Sequence, residues 1–248
     1  MDIEKTWEKI KNHRVRLNDN EIHGLAVVLF RGREEWLAEK LRQREDMAMA
    51  IEFLSFLGKE GSDQAAQALL NTLESGDEAL QAAAAEALKQ CPFELIVERL
   101  ISLMLARKQA AAKAGEIILR FTDAGADVLW RLWFGEEKPA SLKALIIELL
   151  AEVSDPRVEL LAYLALLSDN DELIEAALRA AEKIDAKALW GNVLNCLFMA
   201  NWKHRGMAVR LLGKWKERRA LNYLYEMGAD PDPWVEEERQ RAIGSIVI

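Results

Sequence analysis

DPRVELLAYLALLSDNDELIEAALRAAEKID, residues 155–185, decides the fold. Its second half opens at Asn170, a residue able to cap a helix, and carries apolar residues along one helical face: Leu173, Ala176, Ala177, Ala180, Ala181 and Ile184. Its first half begins Asp-Pro-Arg, with Pro156 at a first-turn position where a missing N–H costs nothing, and runs into ValGluLeuLeu. The stretch therefore reads as two short helices joined by a tight turn. Alternating apolar runs are lacking along the chain, and alanine, leucine and glutamate dominate, so the fold class is all-α.

Working outward, stretches of the same shape recur: DEALQAAAAEALKQ from Asp77, QAAAKAGEIILRF from Gln109 and ASLKALIIELLAEV from Ala140. With Leu80 as the reference apolar residue, its counterparts are Ile22, Met49, Ala111, Leu142, Leu173, His204 and Val235, which follow one another at a first, slightly shorter interval and then at a constant period of 31. Seven residues after each reference stand Leu29, Phe56, Ala87, Ile118, Leu149, Ala180, Leu211 and Ala242. Eight residues after stand Phe30, Leu57, Leu88, Leu119, Leu150, Ala181, Leu212 and Ile243. Every one is hydrophobic in a chain that is 51% hydrophobic, which sets the register of a buried face. Four residues after, small residues dominate (Ala26, Ala84, Gly115, Ala177, Ala208), as close helix approach requires. Upstream helices start near Pro92, Asp155, Ala186 and Glu217, so the unit is a helix pair. A pair this small cannot bury its face alone, and neighbours must stack.

Tetratricopeptide and ankyrin signatures are absent. Residues 155–185, and DPDPWVEEERQRAIGSI at 230–246, resemble instead the short HEAT-like repeat named after phycobilisome lyases. The resemblance implies one α-α superhelix over residues 1–248: a shortened cap at 1–32, regular repeats at 33–228, a capping helix at 229–248, and about eight hairpins in all. It also implies a non-catalytic scaffold that binds another protein on its inner surface. Bilin-lyase subunits occur in the same family, so a lyase-like accessory subunit is a further alternative. The family arginine just after the reference residue is matched by Arg205 alone.

Six residues after each reference lies the edge that, in this family, lines the inside of the curve. It reads Val28, Ser55, Glu86, Ile117, Glu148, Arg179, Arg210 and Arg241. Three arginines in register suit an acidic partner, because guanidinium forks hold carboxylates bidentately. Glu175 and Glu237 precede Arg179 and Arg241 by four residues, the spacing of ordinary surface ion pairs, whereas Gly206 holds that place before Arg210. Residues 201–220, NWKHRGMAVRLLGKWKERRA, set seven cations, Arg205 and Lys214 among them, against Glu217 alone, a local charge of +6. Trp202 lies in this run, so nucleic acid is the alternative ligand, bound by stacking and charge. Trp215 shares a core register with Val153, Ile184 and Ile246. In residues 127–134, Val128, Leu129, Leu132 and Trp133 supply one buried stripe, which leaves Trp130 and Phe134 as a partner anchor or as packing between hairpins. Glu238 and Arg239 interrupt the last core face and read as a solvent-facing cap.

A formal net charge of -8 argues against coating nucleic acid or an anionic membrane. No signal-peptide core or membrane-length apolar run occurs, so a cytoplasmic location with no membrane partner is expected. Cys91 and Cys196 are isolated and read as buried thiols. His13, His23 and His204 are scattered, and His204 reads as a partly exposed packing residue. Glu34–Glu35 and Glu136–Glu137 read as helix-surface neighbours. No catalytic residues, metal, cofactor or small-molecule substrate are expected from this pattern.

Overall fold

Capping side chains divide the chain into short helices, and no strand occurs among the described residues, which are 2–14, 17–75, 77–106, 110–135 and 138–247 of this computed structural model. The carboxamide of Asn18 accepts from Glu21 N while Glu21 reaches back to Asn18 N, a capping box. Ser62, Asp77, Asn170 and Asn201 each accept a backbone N–H from the first turn they precede. Pro92 and Pro139 occupy cap positions, and Pro233 opens its helix. The paired carboxylates Glu136 and Glu137 lie outside the described residues.

Two compact units result, Met1–Arg120 and Phe121–Ile248. The first holds α1 (Ile3–His13), α2 (Asp19–Leu25), a π-helical turn (Ala26–Phe30), α3 (Glu34–Arg42), α4 (Met47–Lys59), α5 (Asp63–Leu73), α6 (Glu78–Leu88), α7 (Phe93–Leu105) and α8 (Ala111–Leu119). Helix α4 packs on α3, α5 and α6, and α8 packs on α6 and α7. At the start of this unit the fully buried Trp7 ring meets Phe30, Trp36 and Phe53 edge-on, and its indole N–H donates to Asp46 at 2.8 Å.

The second unit holds α9 (Thr122–Trp133), α10 (Ala140–Glu152), α11 (Val158–Leu166), α12 (Asp171–Lys183), α13 (Trp190–Asn195), α14 (Trp202–Lys214), α15 (Leu221–Glu226) and α16 (Pro233–Val247). Short 3-10 turns precede α13 and α15, and another, Cys196–Phe198, follows α13. The even-numbered helices pack in sequence, α10 on α12, α12 on α14 and α14 on α16, and each also packs on the odd-numbered helix that precedes it. The reference residues of the sequence register all fall in the first four residues of even-numbered helices. Leu57, Leu88, Leu150, Ala181 and Leu212 are buried, while Leu119 and Ile243 are half-buried.

One turn geometry recurs. After α4, α10, α12 and α14 the chain enters the left-handed region at Gly61, Ser154, Asp185 and Lys216, and the next amide donates back to Leu57, Leu150, Ala181 and Leu212 respectively. This six-to-one closure satisfies helix-end carbonyls and turns the chain sharply. Only Gly61 adopts it without steric cost.

Four expectations are corrected by packing. His204 is buried at 1% exposure, where its Nε2 lies 3.2 Å from the Asp171 carbonyl oxygen. Glu34 is buried and accepts from the Ser62 hydroxyl, while Glu35 stays exposed. Val153 is exposed although Trp215 and Ile246 of the same register are buried. Glu238 and Arg239 are buried, because Arg239 reaches the Leu224 carbonyl at the end of α15 and pairs with Glu236.

Helices α14 and α16 approach each other closely. A methyl added to Gly206 would lie 1.8 Å from the Trp234 ring, and one added to Gly213 would lie 2.7 Å from the Ala242 methyl. Gly206→Ala is expected to destabilise the protein by about 1–3 kcal/mol in denaturant unfolding, as overpacking does. The loss should shrink in a Trp234→Leu background. Lys216→Gly, which relieves a left-handed non-glycine residue, should stabilise by about 0.5–1 kcal/mol, read as a raised melting temperature.

Candidate functional site

Helices α10, α12 and α14 lie side by side, and charged residues along that layer meet across the helix junctions. Arg179 on α12 donates through Nε and Nη2 to Glu148 of α10, at 2.9 and 2.5 Å, and through Nη1 to Glu175 at 3.3 Å. Lys183 pairs with Glu152 in the same direction. One helix on, Arg210 of α14 donates to Glu182 of α12 at 2.7 Å, and Lys214 reaches the other oxygen of Glu182 at 3.5 Å. Arg241 on α16 pairs within its helix, with Glu237 and with Glu238 at 3.0 Å. The three arginines of the sequence ridge are thus each neutralised by a carboxylate of the chain, and the intrahelical pairs of Arg179 and Arg241 are accompanied by tertiary ones for Arg179 and Arg210. On α14, by contrast, two cations share one carboxylate. That junction retains a surplus positive charge.

Arg205, also on α14, faces another way. Its guanidinium is held bidentately by Asp230 at 2.7 and 2.9 Å and donates to the carbonyls of Met199 and Ala200. The Asp230 side chain is only 3% exposed. Arg205 therefore ties the turn before α16 to the start of α14, and the same guanidinium holds the Asp230 carboxyl below the usual carboxylate range. Glu236 is drawn down to about 2 by Arg239, then by Gln240 and the Asp230 amide.

Trp202 is 44% exposed and meets Trp234 edge-on at 5.7 Å. Trp215 is buried. On α9, Leu129 and Trp133 are buried, Val128, Trp130 and Leu132 are half-buried, and Phe134 is 49% exposed. Trp130 and Phe134 meet edge-on at 4.8 Å, and the Arg157 guanidinium lies 5.6 Å from the Trp130 ring centre, fixed between Asp155 and Asp127. Arg219, braced by Glu217, covers Trp190 on α13 at 3.9 Å in the same manner. The ridge cations and the α9 aromatics come from different helix layers, and no contact among the described residues joins them.

Sequence reasoning passed over the carboxylate half of the ladder. Its signal was present, since Glu148 and Arg179, Glu152 and Lys183, and Glu182 and Arg210 are each separated by one repeat period or nearly so. It also passed over α11, whose outward stripe of Leu160, Tyr163 and Leu167 is exposed. Both thiols are buried, and burial pushes Cys91 up to about 11 and Cys196 up to about 12, far from thiolate reactivity at neutral pH. Among the described residues, no group of three or more His, Cys, Asp or Glu side chains is placed to hold a metal ion, and no helix is long and apolar enough to cross a membrane.

No family model and no curated protein matches the chain. Among solved structures, the chain is similar to an engineered protein at 18% identity, with 86% of this chain and 96% of that one covered and a TM-score of 0.32.

Arg205→Met should cost about 3–5 kcal/mol in denaturant unfolding, because Asp230 would stay buried without its counter-charge. Since the folded pKa of Asp230 is depressed, the pair's stabilisation is present above the unfolded carboxylate value near 3.9 and is lost as pH falls through the folded one. The melting-temperature gap between wild type and Asp230→Asn should therefore be widest near neutrality and narrow below about pH 4.

Proposed function

We propose that this protein is a non-catalytic HEAT-like solenoid of about eight helix hairpins in a right-handed superhelix, a cytoplasmic scaffold whose even-numbered helices bind an acidic segment of another protein. Support for the repeat reading comes from features that recur at one spacing or within one residue of it. Arg179 on Glu148, Lys183 on Glu152 and Lys214 on Glu182 are ion pairs between successive repeats, and the left-handed turns at Ser154, Asp185 and Lys216 follow one another at the same period. A row of short helices offers an extended surface with little commitment to chemistry, which suits partner binding.

The observation that carries the binding reading is the α14 junction, where Arg210 and Lys214 share Glu182. An incoming carboxylate can take the remaining N–H groups of Arg210 together with the Lys214 ammonium, and displaces only the longer Lys214–Glu182 contact. At Arg179 it would have to displace two carboxylates. Arg241 also carries two, so α14 is the preferred point of attack.

A fluorescent oligoglutamate peptide, titrated at low salt, tests this. Binding is expected for wild type and should weaken about tenfold, a 1.4 kcal/mol change, in Arg210→Gln/Lys214→Gln. Failure of the peptide to bind, or equal binding by the variant, would sink the acidic-partner reading. Tighter binding of a labelled single-stranded oligonucleotide, with a steep loss on adding salt, would favour nucleic acid instead.

A further inference from the structure

Helix α11 is apolar on nearly every side. Val158, Leu161, Ala162, Ala165 and Leu166 face the interior, yet Leu160, Tyr163 and Leu167 remain 48%, 40% and 57% exposed. A helix apolar all round is normally covered on all sides. The three exposed residues follow one another by three and then four positions, the seam spacing with which one helix receives another. Phe198, 59% exposed, stands at the corresponding end of α13, the helix that packs beside α11.

From the turn before α11 to the start of α12 the charged residues are acidic apart from Arg157. Glu159 is the only charged residue within α11. The cation at its start, Arg157, is held between Asp155 and Asp127 and brings no free positive charge. Beyond the C-terminal turn stand the exposed Asp169 and Asp171. The last carbonyls of α11 add partial negative charge at that end.

We infer that the Leu160–Tyr163–Leu167 seam of α11 docks a basic amphipathic helix of another protein, its apolar stripe on the seam and its lysines or arginines over Glu159 and Asp169. Aliphatic partner side chains fill the spaces around Tyr163, and its ring face is open to a cation from the same helix. A second copy of this chain fits less well, because an α11 seam turned on itself supplies no cations for the acidic residues at its end. This surface lies on the odd-numbered helices and stands independently of the α14 junction.

Two designed helical peptides with the same leucine seam, one flanked by lysines and one by glutamates, serve as probes in fluorescence anisotropy, with a lysine-rich peptide of scrambled seam as control. The lysine peptide should bind wild type at least about tenfold more tightly than either other peptide. Leu160→Ser/Tyr163→Ser/Leu167→Ser, which alters exposed positions only, should lose that binding about tenfold or more while its helicity and melting are kept. Glu159→Lys/Asp169→Lys leaves the seam intact and should weaken the same peptide severalfold. Equal binding of lysine and glutamate peptides, binding unchanged in the triple variant, or no binding at all would overturn the inference. So would a wild-type dimer by light scattering that the triple variant splits, since the occupant would then be a second copy.

Discussion

The structure depends on sharing apolar faces between helices too short to stand alone. A helix of about a dozen residues is marginal in water, and its single hairpin partner covers only part of its leucine and alanine face. In the second unit the remainder is covered by the next even-numbered helix: Ala176, Ala177, Ala180 and Ala181 of α12 are all buried where α10, α11 and α14 crowd it. Small residues are what permit that crowding. The extreme is α14, where Gly206 and Gly213 admit a tryptophan ring and an alanine of α16 into space that a methyl would fill.

Polar interactions in this unit follow from the same geometry. Helices held at close distance bring charged residues of one into reach of the next, which is why Glu148 meets Arg179 and Glu182 meets Arg210. Exposed pairs of this kind contribute little stability each, roughly 0–1 kcal/mol. An arginine neutralised in this way is a poor anion site, whereas the carboxylate shared by Arg210 and Lys214 leaves a surplus of positive charge. Half-buried Arg205 and Asp230, whose carboxylate is almost wholly covered, differ in kind. Their bidentate contact and the two carbonyls on the same guanidinium position the turn that feeds α16, and the loss of either partner would strand a charge away from water.

The two proposed surfaces divide between the two sets of helices. Helices α10, α12 and α14 present a ladder of ion pairs with a positive surplus at α14, whereas the odd-numbered α11 presents an uncharged seam beside carboxylates. Under the two proposals, oppositely charged partners would sit on different helices and would not compete.

Helical class and the burial of Leu57, Leu88, Leu150 and Leu212 were legible in the residues alone, because an apolar face repeats with the pitch of the helix and leaves its trace in spacing. Local capping was legible for the same reason, as Asn170 acts within three residues of itself. Pairings between helices were not. Whether Arg210 is free depends on Glu182, which a neighbouring helix supplies, and whether Glu34, His204 and Arg239 face water depends on what packs over them. Charge and polarity along a chain specify what a side chain can bind, but only packing decides which groups come within hydrogen-bond reach and which faces, like that of α11, are left without a neighbour.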